Sequence, residues 1–290
     1  MTIMTTTLQA SITNREFKRI RNLQNQISNG STRLFEMDNS SNASPLSHIL
    51  LSHKTNRYHQ LFTLEELALF LHLEHKKNIL DIKEHYLLPS EQALQCHTQL
   101  SLYRHNESRI VEKAKSHLGI TTDLVVVEYD ELRDSLYQQA FKCVPSDEHR
   151  TTVYSSEGAI RLHHRNEIER FYWEKQNVVV IQVTEKDLNP IKTSNLRWLR
   201  ETYHHVQNLD VHEYLSQNIT MTLHERFLTR TTATLEEHLS HAASIHKVSI
   251  SDALDTFKHA AYSNLIPINL NERIELYSPV TMVPYPHHIE

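Results

Sequence analysis

Hydrophobic and polar residues alternate along the chain with two different periods. From about Leu61 apolar residues recur every three or four positions, and the run continues to His75 with no proline or glycine, which predicts an amphipathic helix. Residues 79–88 then suggest a short extended segment that ends at Pro89. Residues 121–129 and 135–144 are rich in strand-forming residues and flank a polar pentapeptide, which predicts a β-hairpin.

The segment after the hairpin continues this mixture of helices and strands. Residues 166–176 predict a helix, and the aliphatic run 178–183 predicts a buried strand. Asn189 and Pro190 begin another helix, because proline is favoured at the first helical position. Strands with interleaved helices predict an α/β or α+β domain that extends to about residue 205.

Beyond residue 205 the pattern becomes mostly helical and predicts a second domain. Three amphipathic helices precede a fourth that begins with a capping serine, and two segments that can pair as strands follow. Helix, turn, helix and then hairpin is the order of elements in a winged helix. The helices are predicted at 210–217, 223–230, 234–247 and from Ser249 or Ser251 to 263, and the strands at 265–270 and 274–280.

The predicted organisation therefore has three parts. Residues 1–45 are rich in Asn, Ser and Gln and form a flexible basic arm. Residues 46–205 form the mixed α/β core domain, and residues 206–290 form the winged-helix-like domain.

Composition excludes several classes of chemistry. The chain of 290 residues contains three glycines, at positions 30, 119 and 158. Glycines so far apart build neither a Walker phosphate loop nor a dinucleotide-binding GxGxxG motif. The two cysteines, Cys96 and Cys143, exclude a disulfide framework and a four-cysteine zinc site.

Charge is distributed unevenly between the two ends of the chain. The formal net charge is −5, yet residues 1–60 hold seven Lys/Arg and three Asp/Glu. The N-terminal end is therefore the better candidate for contact with a phosphate backbone, with Lys54 and Arg57 as candidate DNA contacts. We expect no signal peptide and no membrane segment, because the aliphatic runs are too short, and hence a cytoplasmic protein.

Glu66 lies on the first predicted helix among apolar neighbours. Phe62, Leu69 and Phe70 precede or follow it by three or four positions, which places its carboxylate on an apolar face. An ionised carboxylate there is costly unless a cation or hydrogen-bond donors meet it. Glu66 is therefore either a boundary residue that reaches water or a ligand of a cation.

The predicted hairpin brings an acid and an amine together. A turn centred on residues 132 and 133 places Asp123 opposite Lys142 at the open end of the hairpin. The two can form an ordinary cross-strand ion pair of little energetic value. With Glu66 nearby, they can instead form a nuclease site, in which carboxylates hold Mg²⁺ and the lysine neutralises charge at a phosphodiester.

Several short blocks, in a fixed order, carry a resemblance to a known family. They are SHKTNR at 52–57, the helix 64–73 with Glu66, ILDIKE at 79–84, the stretch 118–123 ending in Asp123, EIERFYW at 167–173, and the segments 183–190 and 195–199. Together they resemble TnsA, the family of endonuclease subunits of heteromeric cut-and-paste transposons. Residues 1–50 and 210–290 match that family only in general layout.

The resemblance implies a restriction-endonuclease-like core that uses Mg²⁺, or Mn²⁺ in its place, to hydrolyse the 5′-end phosphodiester at transposon ends. It implies that Glu66 and Asp123 are metal ligands and that Lys142 is the catalytic lysine. The implied partners are transposon-end DNA, a TnsB-like DDE transposase and a TnsC-like AAA+ ATPase, the last through the C-terminal domain. The implied location is the bacterial cytoplasm, at the nucleoid during transposition.

One position departs from the family pattern. The family often has Gln or Glu two residues before the lysine, whereas this chain has Ala140. A backbone carbonyl, Gln138 or water must then replace the missing ligand, or one metal site is weakened. This departure favours an alternative function, that of a non-catalytic adaptor between the transposase and the ATPase.

Other functions account for fewer residues. A stand-alone restriction or repair nuclease would cut without partners. A winged-helix regulator fits poorly because residues 209–290 hold five Lys/Arg and ten Asp/Glu, so we expect this domain to dock on protein. The pairs His72–His75 and His238–His241 lack the HExxH pattern of zinc enzymes and are expected at exposed helix positions.

Overall fold

The computed structural model describes residues 48–103, 119–144, 157–202 and 213–283 of the chain. The predicted arm, residues 1–45, lies outside the described residues. The strands are β1 (His48–Leu51), β2 (Tyr58–Leu61), β3 (Ile79–Leu87), β4 (Thr121–Asp130), β5 (Ser135–Cys143) and β6 (Val180–Val183). The helices are α1 (Leu64–His75), α2 (Ser90–Tyr103), α3 (Glu157–Lys175), α4 (Pro190–Arg200), α5 (Glu213–Thr229), α6 (Leu235–His246) and α7 (Ile250–Tyr262), with a 3-10 helix at Glu185–Asp187.

Four strands form one sheet in the order β3-β4-β5-β6, and β1 and β2 form a separate hairpin. Strand β4 is antiparallel to both of its neighbours, whereas β6 runs parallel to β5. The hairpin predicted for β4 and β5 is confirmed in its predicted register, since Leu124 lies opposite Phe141 and Asp130 opposite Ser135. The mixed α/β class predicted from the sequence is therefore confirmed.

Both sides of this sheet are buried, because successive side chains of a strand point to opposite faces. On one side Val125 and Ala140 pack into an apolar cluster with residues of α2 and α3, including Trp173. On the other side Leu124 and Val126 are fully buried, and α1 contacts β3 and β4. The sheet therefore forms the middle layer of the N-terminal part of the chain.

Helix α1 begins at Leu64, three residues after the predicted start near Leu61, because Thr63 caps it. The Thr63 hydroxyl accepts a hydrogen bond from the backbone N–H of Glu66 at 3.1 Å. Glu65 and Glu66 in the first turn also interact favourably with the positive end of the helix dipole. The cap fixes where the helix begins and therefore which way Glu66 points.

The chain divides into two compact units, with the division between Asp187 and Leu188. The sequence predicts a boundary near residue 205, but α4 belongs to the C-terminal unit, where it packs against α7. The side-chain amide of Asn195 on α4 donates hydrogen bonds to the carbonyl oxygens of Leu270 at 2.9 Å and Glu272 at 2.6 Å. These bonds tie α4 to the C-terminal segment.

The helices of the C-terminal unit agree with the sequence in part. The prediction of separate helices at 210–217 and 223–230 is wrong, because α5 runs without a break from Glu213 to Thr229. Helices α6 and α7 are confirmed, and each begins with a capping box, at Thr234 and at Ser249. Within the described part of the chain, no helix combines the length and the apolar character that crossing a membrane requires.

The prediction of a β-hairpin after α7 is wrong. Isolated bridges link Ile268 with Met282 and Thr234 with Pro279, and the described residues 263–283 contain no strand ladder. Pro267 and Pro279 lack the backbone N–H that a ladder requires, which explains why the apolar pattern of this segment does not become a wing.

Candidate active site

The predicted pairing of Asp123 with Lys142 is present at the open end of the β4–β5 hairpin. Lys142 Nζ lies 3.2 Å from Asp123 Oδ1 and donates a longer bond of 3.3 Å to the carbonyl oxygen of Thr121. The second carboxylate oxygen of Asp123 accepts the backbone N–H of Cys143 at 2.8 Å. Asp123 is thus held by both the side chain and the backbone of the neighbouring strand.

A second carboxylate, Glu169 of α3, completes this cluster. Its Oε2 lies 3.3 Å from Lys142 Nζ, and the residue is 2% exposed. Burial raises the pKa of Glu169, although Lys142 and a hydrogen bond to Thr122 act in the opposite direction. Burial alone would lower the pKa of Lys142, but the carboxylates of Asp123 and Glu169 outweigh it and raise the pKa, so the amine is an ammonium.

Glu169 lies within one of the family blocks, EIERFYW at 167–173, but the sequence pattern assigns it no role. The usable signal is helical spacing, because Glu169 precedes the buried Trp173 by four positions and follows the buried Ile168. A carboxylate on an apolar helix face is the same signal that singled out Glu66.

Glu66 is buried at the start of α1, where 6% of the residue is exposed. Its Oε2 accepts the backbone N–H of Phe62 at 2.7 Å and lies 3.6 Å from Nε2 of His85. Burial raises the pKa of Glu66; the Phe62 amide and His85 oppose this shift, and the carboxylate of Asp123 adds to it. Glu66 and Asp123 are therefore close enough to repel each other.

The carboxylates of Glu66 and Asp123 both affect the pKa of the Cys143 thiol. Burial, together with the charges of Asp123 and Glu66, raises the pKa of Cys143 to about 12. Acids from α1 and from β4 therefore act on one point of the hairpin. Ion pairs join Lys142 to Asp123 and to Glu169, and the charges of Asp123 and Glu66 both act on Cys143.

Lys54 and Arg57, the candidate DNA contacts, make internal contacts. Lys54 Nζ donates to the carbonyl oxygen of Ile79 at 2.9 Å, and burial lowers the pKa of Lys54 despite the opposing charge of Glu74. Arg57 pairs with Glu84 at 2.8 Å. Both cations connect the β1–β2 segment to β3, and their contact with DNA stays a prediction.

The donor set fits a hard divalent cation that takes few protein ligands. Within the described ranges, no three side chains of His, Cys, Asp or Glu are grouped so that they could hold a metal ion. Mg²⁺ commonly uses one or two carboxylates together with waters and phosphate oxygens, which Glu66 and Asp123 can supply in part. Ala140 is fully buried in the apolar cluster and offers only its backbone.

The expectation of exposed histidine pairs holds in part, since His241 is exposed, His72 and His75 are half-buried, and His238 is buried. His238 is 1% exposed and packs against Phe227 with ring centroids 4.4 Å apart. Burial, followed by the charge of Arg226, lowers the pKa of His238. The expectation is therefore wrong for His238, which is a neutral core residue.

Fold and site together define a mixed α/β protein in which a half-buried and a buried carboxylate contact a lysine at one end of a sheet. A scan against protein-family models finds no match. Among curated proteins, the chain is similar to the transposon Tn7 transposition protein TnsA of Escherichia coli, with 31% identity over 158 residues. That alignment covers 53% of this chain and 50% of the relative, so the chain spans about half the length of the curated relative it matches. The TnsA resemblance carried by the sequence motifs is confirmed, and the chain is TnsA-like over this region.

Proposed function

We propose that this chain is a Mg²⁺-dependent DNA endonuclease subunit of a heteromeric transposase, which hydrolyses the 5′-end phosphodiester at transposon ends. The observation that carries the proposal is the position of Lys142, 3.2 Å from Asp123 and 3.3 Å from Glu169, in a chain similar to a transposition protein. A restriction-endonuclease-like arrangement of the core domain is part of this proposal.

The charge balance of the cluster supports cation binding. Three carboxylates, those of Glu66, Asp123 and Glu169, accompany one ammonium group. Buried like charges repel strongly unless a cation or a proton neutralises them. Burial is the main cause of the raised pKa values of Glu66 and Glu169, and the charge of Asp123 adds to both, so a divalent ion beside them would favour their ionised forms.

Each residue then has a defined task. Glu66 and Asp123 hold Mg²⁺ or Mn²⁺, which when bound lowers the pKa of water and polarises the phosphodiester. Lys142 supplies positive charge beside the scissile phosphate, where negative charge develops during hydrolysis. Glu169 holds the Lys142 ammonium in place, with Oε2 3.3 Å from Nζ.

The partners follow from the same proposal. A TnsB-like transposase cuts the 3′ ends, and a TnsC-like ATPase binds the C-terminal domain. Residues 209–290 carry twice as many acidic as basic residues, ten against five, which suits docking on protein better than docking on DNA.

Cleavage of transposon-end DNA tests the proposal. The full chain is mixed with the partner transposase and Mg²⁺, and 5′-strand cutting is resolved on a denaturing gel. Asp123→Ala should abolish cutting, whereas Glu131→Ala, a matched control in the exposed turn of the same hairpin, should leave it unchanged. Full 5′-strand cutting by Asp123→Ala would refute the assigned site, and an adaptor would give no 5′ cutting with the wild-type chain.

A further inference from the structure

His85 has an unusual backbone conformation beside the proposed site. Its φ is 46°, in the left-handed region that residues with a Cβ rarely adopt. The flanking residues of β3 pair normally, Glu84 with Leu124 and Tyr86 with Thr122. His85 is therefore level with Asp123 of β4, and the ladder keeps the same register on both sides of it.

The left-handed residue changes which way the strand presents its side chains. Glu84 contacts His59, with 2.6 Å between Oε2 and Nδ1, and His85 stacks on Phe62 with ring centroids 4.2 Å apart and an interplanar angle of 25°. Both partners belong to the chain segment that precedes α1. Consecutive side chains thus reach the same neighbouring segment, whereas a regular strand sends them to opposite faces.

The imidazole carries a hydrogen on the nitrogen that faces Glu66. His85 Nε2 lies 3.1 Å from the carbonyl oxygen of Gln60. Since a carbonyl oxygen only accepts hydrogen bonds, Nε2 is the protonated nitrogen. Nε2 also lies 3.6 Å from Oε2 of Glu66, which is an ion-pair distance and longer than a hydrogen bond. That carboxylate oxygen already accepts the Phe62 N–H at 2.7 Å.

We propose that His85 is a positioning residue for Glu66, and that it holds the carboxylate in one orientation toward a divalent cation shared with Asp123. This inference rests on the proposed function. Backbone strain persists in proteins where surrounding contacts impose it, and it concentrates at functional sites. Here the left-handed conformation accompanies an imidazole 3.6 Å from an acid that the charge of Asp123 also acts on.

Three substitutions of His85 distinguish the contribution of its N–H donor from that of its aromatic ring. His85→Phe keeps the stacking on Phe62 and removes the N–H, His85→Gln keeps an amide donor, and His85→Gly removes both. Glycine adopts a φ of 46° without strain, so His85→Gly should fold even if the larger variants do not. His163→Phe, on the exposed side of α3, is the matched control.

The direct measurement is Mn²⁺ binding to the full chain by titration calorimetry, with melting temperatures recorded for each variant. Removal of an outer hydrogen-bond donor weakens metal binding about 10-fold, and we expect that loss for His85→Phe and His85→Gly. His85→Gln should remain within about 2-fold of the wild type, because the amide donor replaces the N–H. His163→Phe should bind as the wild type does.

Transposon-end cleavage with the partner transposase supplies the second measurement. The Mg²⁺ concentration for half-maximal cutting should rise in His85→Phe and His85→Gly and return toward the wild-type value in His85→Gln. If these variants match the wild type while Asp123→Ala is inactive, the role of His85 is refuted and the proposed function stands. If Asp123→Ala cuts normally, the proposed function fails, and the role of His85 fails with it.

Discussion

Replacing Lys142 with methionine removes the only cation in the described cluster while retaining a side chain of similar length. In the native protein its ammonium lies 3.2 Å from Asp123 and 3.3 Å from Glu169. Glu169 is 2% exposed and cannot turn to water without disturbing α3. We therefore expect Lys142→Met to lower both the activity and the free energy of unfolding.

The size of the stability loss follows from the geometry. At an effective dielectric of about 20, opposite charges at about 3.3 Å attract by about 5 kcal/mol. The cost of burying the charges offsets most of this attraction in the intact pair, whereas removal of one partner costs about 3–5 kcal/mol. Since the side chains of Lys142 and Asp123 are 21% and 16% exposed, we expect about 3 kcal/mol, the lower end of the range.

The loss should depend on pH in a defined direction. Burial already raises the pKa of Glu169, and Lys142 opposes that shift. Without Lys142 the pKa rises further, so the folded variant favours the protonated acid. An acid whose folded pKa exceeds its unfolded pKa destabilises the fold as the pH rises, so the loss should be small near about pH 4 and full near about pH 8.

Urea denaturation at both pH values tests this expectation. The wild type is compared with Lys142→Met, Glu169→Gln and the double variant. The double variant should recover about 2 kcal/mol over Lys142→Met at the higher pH, because the buried Glu169 no longer carries a charge without its ammonium partner, yet it should not cut DNA. An equal loss at both pH values, or a double variant no more stable than Lys142→Met, would refute the reasoning.

Two further predictions concern the packing around the site. Trp173→Phe should lower the free energy of unfolding by about 1–2 kcal/mol in urea titrations. The reason is that the indole N–H, which donates to Thr122 Oγ1 at 2.7 Å, is lost. An unchanged free energy of unfolding would show that this hydrogen bond does not stabilise the fold. Burial alone would raise the pKa of Glu84, but His59 and Arg57 outweigh it and lower the pKa from 4.5 to about 2. The stability that this acid contributes is present above its unfolded pKa and is lost as the pH falls through 4.5 toward about 2. Arg57→Met should therefore make the free energy of unfolding fall less steeply with decreasing pH than it does in the wild type. Equal slopes for the variant and the wild type would contradict this role.

The β4–β5 hairpin was predictable because local chemistry sets its register. The side chain of Asp130 accepts the backbone N–H groups of Leu132 at 3.0 Å and Arg133 at 3.2 Å, which closes the turn. Once the turn is set, strand geometry alone brings Asp123 to Lys142. Glu66 is predictable from the sequence for a similar reason, because helical spacing places it on an apolar face.

Glu169 was not predicted because its partner belongs to a distant part of the sequence. Helix α3 meets Lys142 only after the sheet has formed, and no local rule brings the two together. Helix α2 was also missed, since Ser90–Tyr103 is largely polar and two of its apolar residues, Ala93 and Cys96, find their burial against the sheet and α3. The strands β1 and β2 contain four residues each, too few to show a period.

The C-terminal unit was predicted less well because its pattern fits more than one structure. Alternation in 265–270 and 274–280 suits paired strands, but Pro267 and Pro279 deprive them of donors. The unit boundary was misplaced because α4 is joined to the last segment by the side-chain amide of Asn195. Contacts of this kind, from a polar side chain to a distant backbone, leave no periodic signal.

The claim that Glu66 and Asp123 share one divalent cation is tested most directly by Mn²⁺ titration of the full chain. Calorimetry is performed on the wild type, Glu66→Gln, Asp123→Asn and the double variant. Two ligands of one ion act as a unit, so each single variant should lose nearly all of the binding and the double variant should lose little more. Wild-type affinity in either single variant would contradict the account, as would independent, additive losses.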